Sequence, residues 1–135
     1  MFYYVARAIC WLLLKMFWRM EVIGIENVPE RGGVIIASNH VSYLDPVVLG
    51  TSTKRKIHFI TKKEAFNNIF GSIILKNLNA FPVDRKKIDI LAFKKTISIL
   101  ERGGVLGMFP EGTRSLNGEL QELKLGVVKI AMKAG

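Results

Sequence analysis

From residue 20 onward, short runs rich in β-branched and aromatic residues alternate with segments long enough for helices. That alternation narrows the possible folds more than any other feature of the chain. The strand candidates are Glu21 to Ile25, Val34 to Ser38, Ile57 to Thr61, Ala80 to Val83 and Val105 to Phe109. Helical candidates lie between or after them, at Lys63 to Asn77, Ile88 to Arg102 and Glu122 to Ala134. The alternation predicts an α/β fold, a single layered domain with a largely parallel sheet flanked by helices. In such sheets ligands bind beyond the carboxyl ends of the strands. Two dense polar runs fall there, Ser38-Asn39-His40-Val41-Ser42-Tyr43-Leu44-Asp45-Pro46 and Phe109-Pro110-Glu111-Gly112-Thr113-Arg114-Ser115.

The N-terminal residues 1–20 stand apart from the domain expected over 21–135. Their apolar run is about long enough to cross a bilayer, but Arg7, Lys15 and Arg19 interrupt it, which is costly for a spanning helix. At roughly 100° per residue the three cations share about a third of the helix circumference, and Phe, Trp, Leu, Ile and Tyr fill the rest. The expectation is an amphipathic helix lying in the headgroup region, cations toward lipid phosphates. A helix packed on the protein's own core, a tilted span and a signal peptide are the alternatives, the last without a small-residue cleavage site to support it.

Lysine and arginine number 20 against 11 acidic residues, a net charge of +9 that predicts a negatively charged partner. An anionic membrane surface, a phosphorylated substrate and nucleic acid all qualify. The basic runs Lys54-Arg55-Lys56 and Lys94-Lys95 are short, separated and free of interleaved aromatics, so nucleic acid is not expected. The single cysteine, Cys10, excludes a disulfide framework. The expected setting is membrane-associated, on the cytoplasmic face.

An imidazole with a carboxylate five residues on is equipment for general-base catalysis, which is the functional reading of His40 and Asp45. Asp-Pro before an apolar run is equally an ordinary helix start, with Asp45 as N-cap and Pro46 in the first helical position. Both roles can hold only if one carboxylate oxygen caps while the other reaches the ring. In the second polar run Pro110 ends sheet bonding and Gly112 permits a tight bend. Arg114 offers a planar fork suited to phosphate, the plainer alternative being an exposed ion pair in a turn. A third strand end, Ala80-Phe81-Pro82-Val83-Asp84-Arg85, carries another Asp-Arg pair. His58 lies within a strand and no His/Cys cluster has ligand spacing, so no metal site is expected.

The block Asn39-His40-x-x-x-x-Asp45, the block Phe81-Pro82-Val83-Asp84-Arg85 and the block Phe109 to Ser115 occur in this order. Lys62-Lys63-Glu64 lies between the first two, and a basic apolar leader precedes them. Together they resemble the glycerolipid acyltransferase family, which includes the lysophosphatidic acid acyltransferases, over residues 20 to 135. The resemblance implies transfer of an acyl group to the free hydroxyl of a lysophosphatidate-type acceptor, giving phosphatidate, with no cofactor and no acyl-enzyme. The co-substrate would be an acyl thioester of coenzyme A or of acyl carrier protein. The same resemblance implies His40 as general base and Asp45 as its orienting carboxylate. Arg85, Arg114 and Lys63 would hold the acceptor's phosphate, and Glu111, Gly112 and Thr113 would shape its site. Another lysophospholipid or glycerol phosphate is the alternative acceptor, and a membrane-binding fragment without catalysis the alternative function. The family continues with a Pro-containing apolar strand soon after the segment Lys124 to Ala131, whereas this chain stops at Gly135, so a C-terminally truncated protein is expected.

Overall fold

The computed structural model describes residues 1–135. Four short strands, β1 (Val34–Ala37), β2 (Ile57–Lys62), β3 (Ala80–Val83) and β4 (Val105–Met108), form one sheet in the order β1-β4-β2-β3. All three pairings are parallel. The central strands are covered on both faces, which is why they read as nearly continuous apolar runs. In β4 the alternation sends Leu106 to one face and Val105 and Gly107 to the other, and both Leu106 and Val105 are fully buried.

Two helices cover the Leu106 face. Ala92, Ile97 and Leu100 of α4 (Ile90–Glu101) and Ile130 of α5 (Gly126–Ala134) pack with Phe81 and Leu106 into the main core. Burying a side chain such as Leu106 contributes roughly 1.5–3 kcal/mol. Asp89 starts α4 by accepting from the Ala92 N–H at 2.9 Å. On the opposite face α2 (Asp45–Ser52) packs against α1 (Phe2–Trp18), and the Ile57 N–H donates to the Tyr3 hydroxyl at 3.1 Å. A cavity opens on this side of the sheet, lined by Tyr3 and Ala6 of α1, Val47 and Gly50 of α2 and Phe59 of β2.

Three expected elements differ. Glu21 to Ile25 forms no strand: Gly24 takes a left-handed conformation at φ 78°, and a single 3-10 turn, Ile25–Asn27, follows. That run finds no neighbouring strand to satisfy its backbone. The helix expected over Lys63 to Asn77 is broken into a 3-10 turn, Lys63–Phe66, and α3 (Ile69–Asn77). The break comes from Asn68, whose side chain caps α3 by accepting from the Phe70 and Gly71 N–H groups. The last helix starts at Gly126 rather than Glu122, because the preceding segment is irregular and the Lys124 N–H donates to the Pro110 carbonyl at 2.9 Å.

No helix is long and apolar enough to cross a membrane. In α1, Tyr3 and Leu14 are buried, and Ala6, Arg7 and Cys10 turn with Tyr3 toward the cavity. Arg7 therefore departs from the expected row of outward cations: its guanidinium donates to the Thr53 carbonyl. Outward lie Val5, Ile9, Leu12 and Met16, each more than half exposed.

Candidate active site

His40 follows the end of β1, and a turn through Val41 to Leu44 brings Asp45 back beneath it. Asp45 Oδ2 lies 2.8 Å from His40 Nδ1, 2.7 Å from the Val41 amide and 2.8 Å from the Ser42 amide. All three donors converge on one oxygen. Asp45 is the first residue of α2, and Leu44 is its N-cap without a side-chain bond. The alternative role of Asp45 as cap of α2 is not taken up; the carboxylate closes the preceding turn instead, which is what lets residues five apart meet. Burial alone would raise the Asp45 carboxyl, but the Ser42 amide, the imidazole and the Val41 amide outweigh it and hold the group below the ordinary value of 3.8. An ionised Asp45 only accepts, so Nδ1 carries a proton toward it, and in the neutral ring Nε2 is the nitrogen free to accept.

The second polar run holds His40 by its backbone. Glu111, 3% exposed, accepts from the His40 N–H at 2.7 Å through Oε1 and from the Gln121 N–H at 2.9 Å through Oε2. The Ser115 N–H donates to the His40 carbonyl at 2.7 Å. Both Glu111 oxygens are thus occupied by backbone amides, each such charge-assisted bond contributing about 1.5–3 kcal/mol. The ring itself stacks on Phe109, centroids 4.2 Å apart at 20°, and Phe109 stacks in turn on Phe59 at 6.4 Å. Phe59 lies flat only because Gly107 has no side chain: a Cβ there would come within 2.5 Å of the ring. Phe59 and Gly107 escape a motif-based reading, since nothing in their local pattern separates them from ordinary strand residues.

His40 and the cations share a cavity of about 1130 Å³, whose apolar lining includes Val47, Phe59, Leu75 and Met108. Arg85 and Arg114 both line it, 29 positions apart in sequence but meeting around one turn. Arg85 Nη1 donates to the Gly112 carbonyl at 2.6 Å, and the Arg114 guanidinium lies 3.4 Å from the centre of the Tyr43 ring. Thr113 lines the cavity too, its hydroxyl donating to Gln121 Oε1 at 3.1 Å. Gly112 adopts φ 73°, a conformation that glycine takes without strain. Lys63 is not brought to this group. It is paired with Asp84 at 2.6 Å, a bond that pushes the ammonium up and the carboxyl down, while the neighbouring Lys62 lines the cavity. Lys124, in no block singled out above, lines it as well.

The sequence pattern of the acyltransferase family matches residues 19–135. The chain belongs to that family. Among its relatives within the acyltransferases, it is 36% identical over 121 residues to the 1-acyl-sn-glycerol-3-phosphate acyltransferase of Bacillus subtilis (strain 168), a match covering 89% of this chain and 60% of that one. It is 32% identical over 119 residues to the enzyme of the same name from Borreliella burgdorferi, covering 87% of this chain and 48% of that one. The crystal structure of the 1-acyl-sn-glycerophosphate (LPA) acyltransferase PlsC from Thermotoga maritima superposes with a TM-score of 0.72 at 28% identity, over 98% of this chain and 54% of that one. This acyltransferase chain therefore spans about half the length of the relatives it matches.

Proposed function

We propose that the protein transfers an acyl group from a thioester to the free hydroxyl of lysophosphatidate at a membrane surface, forming phosphatidate. The observation that carries this reading is the 2.8 Å bond between His40 Nδ1 and Asp45, on the same cavity as two arginines that have no carboxylate partner. His40 Nε2 takes the acceptor's hydroxyl proton as the oxygen attacks the thioester carbonyl. The tetrahedral intermediate collapses, and the departing thiolate takes the proton from the imidazolium. Asp45, ionised, stabilises that imidazolium. The acceptor supplies the nucleophile, so no protein nucleophile is consumed. The donor is an acyl thioester of coenzyme A or acyl carrier protein, whose chain the apolar part of the cavity accommodates.

The test is an initial-rate assay with acyl-coenzyme A and acyl carrier protein thioesters as donors and lysophosphatidate as acceptor. Consumption of both substrates with formation of phosphatidate is expected; vesicle binding without turnover would overturn the reading in favour of a non-catalytic lipid-binding role. Arg85→Ala and Arg114→Ala are each expected to raise the acceptor KM by about tenfold or more, the loss of one charge-assisted phosphate contact, and to leave the thioester KM unchanged. An unchanged acceptor KM would remove the arginines from the phosphate.

The outward face of α1 supports placing the reaction on a bilayer, with Val5, Ile9, Leu12 and Met16 entering the headgroup boundary. Replacing these four by serine removes apolar area without touching Tyr3 or Leu14, the buried side of the helix. Flotation with anionic vesicles is expected to fall by at least about tenfold, and undiminished flotation would exclude α1 as the anchor.

A further inference from the structure

Three cations gather around Gly112, and only two of them lie in the polar blocks. The third is Lys124, delivered by the irregular segment ahead of α5. Its N–H is fixed to the Pro110 carbonyl, and its side chain lies across Gly112: a Cβ added there would stand 2.8 Å from Nζ and 3.0 Å from Cε. The bare Cα of Gly112 thus serves both the left-handed turn and the passage of the lysine. Arg85 holds the carbonyl of the same glycine, and Arg114 follows two residues later on the Tyr43 ring.

None of these three cations has a carboxylate within 4.0 Å; the molecule's ion pairs are His40 with Asp45 and Lys63 with Asp84. Like charges collected about one turn repel, and no carboxylate pairs directly with any of the three. An anion entering the cavity would. A further link ties this group to the base: Glu111 holds the His40 N–H with one oxygen and the Gln121 N–H with the other, so one buried carboxylate sets the spacing between His40 and the segment carrying Lys124.

We propose that Lys124 is a direct ligand of the acceptor's phosphate, completing with Arg85 and Arg114 a three-cation cradle that favours a phosphate monoester over a phosphodiester. The identity of the molecule bearing that phosphate rests on the acyl-transfer reading; the anion site itself does not. A monoester carries about 1.5 to 2 negative charges near neutral pH, whereas a diester carries one. Each added cation therefore favours the monoester, and an ammonium supplies a compact charge that needs no fixed fork geometry.

The test uses the full chain with Lys124→Met, which keeps an unbranched tail over Gly112 without the charge, and Lys124→Arg, which keeps the charge. Binding of glycerol 3-phosphate and of the diester glycerophosphoglycerol is followed by phosphorus NMR titration, and KM values are measured for lysophosphatidate and for acyl-coenzyme A. Lys124→Met is expected to weaken glycerol 3-phosphate binding and raise the lysophosphatidate KM by about tenfold, with the thioester KM unchanged and a smaller loss for the diester. Lys124→Arg is expected to stay within about threefold of the wild type. The proposal is overturned if Lys124→Met binds glycerol 3-phosphate as the wild type does, if monoester and diester lose equally, if the thioester KM rises instead, or if the wild type binds neither phosphate. A wild type that binds the monoester but transfers no acyl group would sink the acyl-transfer reading alone, and the titration would still decide Lys124.

Discussion

Alanine in place of His40 is expected to lower the rate of acyl transfer by about 10²–10⁴-fold, the usual contribution of a positioned general base. The loop should survive the change, because it is framed by backbone. The His40 N–H remains on Glu111 and its carbonyl on the Ser115 N–H. Asp45 loses one donor of three but keeps the Val41 and Ser42 amides, so no carboxylate is stranded. Phe109 loses a stacking partner, at a cost of about 0.5–1.5 kcal/mol. Vesicle flotation should be unchanged, since the exposed apolar residues of α1 are left intact. The measurement is the initial rate with acyl thioester and lysophosphatidate, beside a thermal melt of the same preparation. A variant that melts like the wild type and keeps more than about a tenth of its rate lies well outside the range for a lost base, and would end the case for His40.

Much of this arrangement is legible in the sequence, for reasons that differ residue by residue. The sheet is legible because β1, β3, β4 and the first half of β2 are mostly apolar runs bounded by turns, the imprint of a largely covered parallel sheet. Glu21 to Ile25 has the same local composition and forms no strand, since pairing is decided by neighbours rather than by composition. Asn68 breaks the third helix through a capping bond that an uninterrupted apolar periodicity hides. At the site, His40, Asp45, Arg85 and Arg114 stand out as polar residues at strand ends, where the fold class already places ligands. Lys63 stands out equally and is drawn away by Asp84. The contribution of Lys124 is invisible locally: one cation among 20 reaches the cavity only because its backbone is bonded to distant Pro110. Phe59 and Gly107 are hidden for a related reason, because ring and gap meet across two strands.

Asparagine in place of Asp45 separates the two jobs that one oxygen performs. The amide can keep its oxygen where Oδ2 stands, because the Val41 and Ser42 N–H groups both require an acceptor there. Turning the amide nitrogen toward them would set donors against donors at 2.7 and 2.8 Å. The backbone therefore holds the asparagine oxygen against His40 Nδ1–H and preserves the tautomer. What disappears is the negative charge beside the forming imidazolium, an interaction of up to about 4 kcal/mol at an effective dielectric of 20. Transfer is accordingly expected to fall by about 10²–10³-fold with the turn intact. Alanine at the same position orphans three donors and should also lower the melting temperature clearly below that of the asparagine variant. Acid distinguishes them further. Because the folded state holds the Asp45 carboxyl below its ordinary value, the charge stabilises the protein above that value, and the contribution is lost as pH falls through the depressed pKa. The stability gap between wild type and Asp45→Asn should therefore be widest near neutrality and close below about pH 4. A gap that stayed constant from pH 7 to pH 3 would mean that the carboxylate's charge does not hold the turn, and full activity in Asp45→Asn would mean that it does not serve His40.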